Sequence, residues 1–119
     1  MVLQMTEAGG KRTDRRHACN ARIMWTQLNR VATTYGEEVY YGARVLNFSK
    51  SGLYFETEYP LKPGITILFR LEGSCSGVYD VEDGECLRTI SLAEVKWCRD
   101  LISKGEAYFG IGARYPIYY

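Results

Sequence analysis

Arg12 and Arg16 stand in a polar stretch near the N-terminus with Lys11 and Arg15 beside them. A guanidinium is a planar fork of donors that grips phosphate oxygens two at a time and also fits the O6/N7 edge of guanine. It stacks on base planes too, which an ammonium does poorly. About thirty residues further on comes Asn47-Phe48-Ser49-Lys50-Ser51-Gly52, between two apolar, β-prone runs. The Asn47 amide can pair with polar base edges, the Ser49 hydroxyl with a phosphate or base, and Gly52 lets a ligand approach the backbone. Together the two groups suit the binding of an anion that carries a guanine, and not catalysis. The chain has no G-x-S-x-G, H-E-x-x-H or Walker sequence and no paired catalytic constellation, so no enzyme activity is expected.

The remaining polar residues add no second chemistry. The one histidine, His17, follows Arg16 and reads as an incidental tail residue. Cys19, Cys75, Cys86 and Cys98 contain no C-x-x-C pair, so neither a metal nor a cofactor is expected. Free thiols in a reducing cytosol are the default, although Cys75 and Cys86 flank one loop and could pair in an oxidising setting.

A chain of 119 residues, 46% of them apolar, makes one domain with a small core. Ten Tyr and two Trp, with Val and Ile spread among them, favour strands. A net charge of +1 argues against a nucleic-acid binder working by overall field. The charge is uneven, however. Residues 1–30 carry six bases against two acids, and residues 72–85 carry five acids and no base. With no signal segment and no membrane-length apolar run, the expected location is the cytoplasm, without membrane insertion.

Residues 1–20 show no apolar period and read as a flexible basic tail; residues 21–119 read as the domain. Strands are expected at 21–28, 38–46, 53–58, 65–71, 87–98 and 107–114, with a bulge or bend at Gly42 and a bulge at Ala93-Glu94. Asn29–Gly36 is a polar connector, Tyr59–Gly64 a proline- and glycine-broken turn, residues 73–85 a long acidic loop, and Arg99–Glu106 a turn tipped by Lys104-Gly105. In the last strand Phe109, Ile111 and Ala113 share one face, and Gly110 and Gly112 the other. Six evenly spaced strands and no amphipathic helix predict an all-β fold, a six-stranded antiparallel β-barrel that removes its own edges by closing.

Arg12-Thr-Asp-Arg-Arg16 and Asn47-Phe-Ser-Lys-Ser-Gly52 follow, in order and spacing, the R-x-x-x-R and D/N-x-S-x-x-G motifs of the PilZ domain family, which the chain resembles. Leu53-Tyr-Phe, Leu61-Lys-Pro-Gly64, Val95-Lys-Trp97 and Phe109-Gly-Ile-Gly112 extend the likeness over roughly residues 11–115. The resemblance implies a PilZ-like split barrel and a receptor for the bacterial second messenger cyclic di-GMP. Arg12 and Arg16 would meet its phosphates and a guanine edge, Asn47 and Ser49 a guanine and the neighbouring phosphate, and Gly52 would let that base pack closely. Lys11 and Arg15 are secondary phosphate candidates. Trp97 either offers an apolar face to a guanine, if it points outward, or is a core aromatic of the fifth strand. Asn at position 47 is within the family's pattern, and its mixed donor and acceptor bears on guanine selectivity.

The expected mechanism is a tail that folds across the barrel when its arginines find the ligand, read out by a downstream protein partner in motility, biofilm or a related process. The acidic loop 73–85 is the candidate partner surface. The alternative is a ligand-independent adaptor of the same fold in motility or pilus assembly. A flavin-binding split barrel and a nucleic-acid-binding barrel are the remaining readings.

Overall fold

A computed structural model describes residues 15–28, 39–73, 79–80 and 85–116. Eight strands lie among them: β1 (His17–Gln27), β2 (Tyr41–Phe48), β3 (Gly52–Thr57), β4 (Thr66–Leu71), β5 (Tyr79–Asp80), β6 (Glu85–Cys86), β7 (Ile90–Ser103) and β8 (Glu106–Arg114). Among the described residues there is no helix. The six long strands pair antiparallel in the order β1-β2-β3-β8-β7-β4, and β4 pairs back onto β1, so the sheet closes in a ring.

Alternation along each strand fills that ring. Ile23 and Trp25, Val45, Leu53 and Phe55, Ile67 and Phe69, Ala93 and Val95, and Ile111 and Ala113 all point into one buried core. Full burial of each larger side chain contributes roughly 1.5–3 kcal/mol. The polar groups taken inside find partners. Trp25 Nε1 donates to Thr57 Oγ1 at 3.2 Å, and that hydroxyl donates to Gly42 O at 2.8 Å.

The boundaries differ from expectation where pairing, not hydropathy, decides them. Strand β1 starts at His17, so residues 17–20 belong to the sheet and not to the tail. His17 is no incidental tail residue: it is 8% exposed, pairs in register with Phe48, and its ring lies 5.2 Å from that phenyl. Strand β2 runs to Phe48, which places Asn47 and Phe48 in the strand and shortens the corner. Gly42 pairs regularly with Met24 and is not a bulge. The extra residue of β2 falls at Leu46, since Val45 faces Phe55 and Asn47 faces Tyr54. On β7 the bulge sits at Lys96, between Val95↔Ala113 and Trp97↔Gly112, and not at Ala93-Glu94.

Strand β7 also continues to Ser103, and the expected turn 99–106 shrinks to Lys104-Gly105. Both residues have positive φ, 53° and 79°, the conformation of a two-residue hairpin turn whose twist matches its strands. Within the acidic segment 73–85, β5 and β6 pair as Tyr79↔Cys86 and Asp80↔Glu85. The rest of that segment (74–78 and 81–84), the connector 29–36 and the tail before residue 15 lie outside the described residues.

Candidate functional site

The corner between β2 and β3 is built from its own polar groups. Ser49 N donates to Gly52 O at 2.9 Å, and Ser51 N donates to Ser49 Oγ at 3.2 Å. The two hydroxyl oxygens lie 3.3 Å apart. Ser49 is 2% exposed, so its hydroxyl holds the turn. Gly52 is buried against β8, where a Cβ would run into the Ala113 carbonyl. The glycine is therefore required by the neighbouring backbone, independently of any ligand. On the other side Tyr115 N donates to Ser51 O at 2.8 Å, which ties the corner to the end of β8.

Arg16 lies just before β1 and donates Nη1 to Asn47 Oδ1 at 3.3 Å, across 31 residues of sequence. The register that allows this contact is His17↔Phe48 and Ala18↔Asn47. Arg16 was expected at the corner only in company with a ligand, yet it already rests there. Arg15 is exposed beside it. Arg12 and Lys11 lie outside the described residues.

The Leu46 bulge has a second effect. It brings Asn47 opposite Tyr54, Tyr54 lies opposite Gly112, and Gly112 lies opposite Trp97. Residues directly opposite in an antiparallel sheet share a face. Asn47, Tyr54 and Trp97 thus form one row on the outer surface of the ring. Trp97 is 44% exposed and is not a core residue. Its indole stacks on Tyr54 with centroids 5.5 Å apart and planes 25° from parallel. A Cβ at Gly112 would strike that indole, and one at Gly110 would strike the Tyr54 ring, so both glycines clear space for the aromatics.

Arg99 joins the row from the next outward position on β7. Its guanidinium carbon lies 5.6 Å from both ring centroids, and Nη2 donates to Tyr54 Oη at 3.4 Å. The Tyr54 hydroxyl in turn donates to Glu56 Oε2 at 3.1 Å. Burial pushes the Tyr54 phenol above its ordinary pKa; the Glu56 carboxylate adds to the rise and Arg99 opposes it. The row offers a planar, electron-rich face edged by guanidinium donors, a surface suited to a heteroaromatic ring with an anion near it.

Sequence reasoning missed Tyr54 and Arg99. The available signal was the alternation of Gly110 and Gly112 on an outward face, which implies bulky neighbours across the strand. Among the described residues no group of three or more His, Cys, Asp or Glu side chains could hold a metal. Cys19, Cys86 and Cys98 are free, and Cys75 lies outside the described residues. Burial raises the Cys19 thiol, which donates to Val45 O at 3.5 Å, so it is an inert half-buried group. No helix among the described residues is long and apolar enough to cross a membrane. No family model matches the chain, and no curated protein matches it.

Proposed function

We propose that the protein is a receptor for cyclic di-GMP, with a PilZ-like barrel as its scaffold, and that it acts by binding and not by catalysis. The observation that carries the reading is the Arg16–Asn47 hydrogen bond at 3.3 Å, which joins the two motif-bearing stretches at one point on the sheet. The outward row beginning at Asn47 supports it, because Trp97 gives a base an exposed aromatic face beside the polar corner. Arg16 is the phosphate and guanine-edge ligand, with Arg12 as its partner on the same arm. Asn47 reads a base edge, and Trp97 stacks. Ser49 and Gly52 act through the corner, one fastening it and the other letting it pack against β8.

In this reading Arg16 is a pre-set anchor, and the entropy of ordering falls on whatever the ligand recruits beyond it. Output passes to a protein partner that distinguishes liganded from free surface, and the acidic segment 73–85 remains the candidate for that contact. The test is calorimetric titration of cyclic di-GMP into the wild type and Arg16→Ala. Micromolar or tighter binding that is lost or greatly weakened in the variant is expected. No heat from the wild type would overturn the receptor reading and favour a ligand-independent adaptor of the same fold.

A further inference from the structure

Two residues at the corner have no part in the site as drawn so far. Tyr115, tied to Ser51 through its backbone, sits between the Phe69 ring at 6.3 Å and the Arg88 guanidinium carbon at 3.8 Å from its centroid. The tyrosine is 7% exposed, and its hydroxyl is buried without a hydrogen-bond partner among the described residues, which folded proteins rarely tolerate. Arg88 is carried there by Leu87, fully buried beside it in the segment between β6 and β7. Arg88 donates Nη1 to Ser91 Oγ at 2.9 Å, as Arg16 donates to Asn47 Oδ1, and neither guanidinium has a carboxylate partner among the described residues. Among the described residues, then, Tyr115 links two cations that have no carboxylate partner: Arg88 stacks on its ring, and the charge of Arg16 acts on its phenol.

We propose that Arg88 is an anion-binding residue of this site, held flat by Tyr115 as its positioning residue, and that it takes a phosphate oxygen with the Tyr115 hydroxyl as a further donor. The proposal rests on the receptor reading and extends it to a second guanidinium, one mounted on the ring itself and not on the N-terminal arm. The charges of both Arg88 and Arg16 act on the Tyr115 phenol, which burial nevertheless pushes up to about 12, so it remains a protonated donor toward an anion. A planar guanidinium stacked on an aromatic face loses little freedom on meeting phosphate, and each such charge-assisted contact released from counter-ions steepens the dependence on salt.

The test is calorimetric titration of the full chain with cyclic di-GMP at low and high salt, and separately with inorganic phosphate. Arg88→Ala should weaken cyclic di-GMP binding about tenfold or more and flatten its salt dependence, and Arg88→Lys should recover part of the loss. Arg88→Gln keeps a planar group on the tyrosine without the charge and serves where the alanine variant fails to fold. Tyr115→Phe should weaken binding several-fold while leaving the thermal midpoint of the free protein unchanged or higher, since it removes an unpartnered buried hydroxyl. A merely structural tyrosine would instead lower the midpoint and leave affinity unchanged. Binding by Arg88→Gln within about twofold of wild type would overturn the proposal and leave the receptor reading intact. If wild type gives no heat with cyclic di-GMP, the receptor reading falls and the phosphate arm decides: phosphate binding abolished by Arg88→Gln keeps the anion site for a free anion, and its absence from wild type overturns it.

Discussion

The two tight turns of the ring have nearly the same length and opposite characters. The corner between β2 and β3 is closed on itself: Ser49 is buried, its hydroxyl is bonded, Gly52 is wedged against the Ala113 carbonyl, and Ser51 is tied to Tyr115. The turn between β7 and β8 is open. Lys104 and Gly105 project with positive φ, no heavy atom lies within 4 Å of a Cβ built on Gly105, and Ile102 beside them is 76% exposed. One turn is set by its neighbours and the other by its own backbone. The first kind suits a binding site, because groups that are already fixed spare a ligand the entropy of ordering them.

The sharpest way to break this contrast is a glycine exchange at each turn. Gly52→Ala drives a methyl into backbone that cannot swing aside, and a loss of about 2–4 kcal/mol in chemical unfolding is expected. Gly105→Ala meets only the strain of its positive φ and should cost about 1 kcal/mol. Equal losses at the two positions would contradict the account of the corner.

Alkaline titration separates the corner from the open turn in another way. Tyr115 is raised from 10 to about 12, chiefly by burial, so the folded state resists a deprotonation that the unfolded state undergoes. Below pH 10 both states hold the proton and the group has no effect. Between pH 10 and 12 the unfolded chain binds fewer protons, and stability should fall with rising pH by up to about 1.4 kcal/mol per unit from this group. Tyr54 contributes in the same direction. Urea midpoints across that window should show a shallower fall in Tyr115→Phe than in wild type; identical slopes would place the phenol in an ordinary environment.

An effect as small as that at Gly105 is expected at Ser49. Removing its hydroxyl deletes the oxygen to which the Ser51 amide donates at 3.2 Å in this half-buried turn, so Ser49→Ala should lower stability by about 1 kcal/mol. A larger effect on ligand affinity than on stability would show that the hydroxyl also reaches the ligand.

Hydropathy made much of the fold legible. Ile67 and Phe69, and Ile111 and Ala113, alternate as inward pairs, and Gly110 and Gly112 alternate against them as expected. What remained hidden depends on pairing. His17-Ala18-Cys19-Asn20 has no apolar period, and it becomes strand because its backbone lies beside Phe48 and Asn47. Residues 99–103 bury little and are strand because a two-residue turn returns β8 beside them. The candidate site followed the same rule. Arg16, Asn47 and Trp97 were visible as types, whereas Tyr54, Arg99, Arg88 and Tyr115 join them only through register and bulges, which local composition does not encode.

The central claim is that Arg16 and Asn47 are two halves of one ligand contact. A double-mutant cycle on cyclic di-GMP binding, measured by calorimetry with wild type, Arg16→Ala, Asn47→Ala and the double variant, tests it most directly. The account predicts micromolar or tighter binding by wild type, about tenfold or greater weakening in each single variant, and a double variant little worse than the weaker single. Losses that simply multiply, or a wild-type protein that binds no cyclic di-GMP, would contradict it.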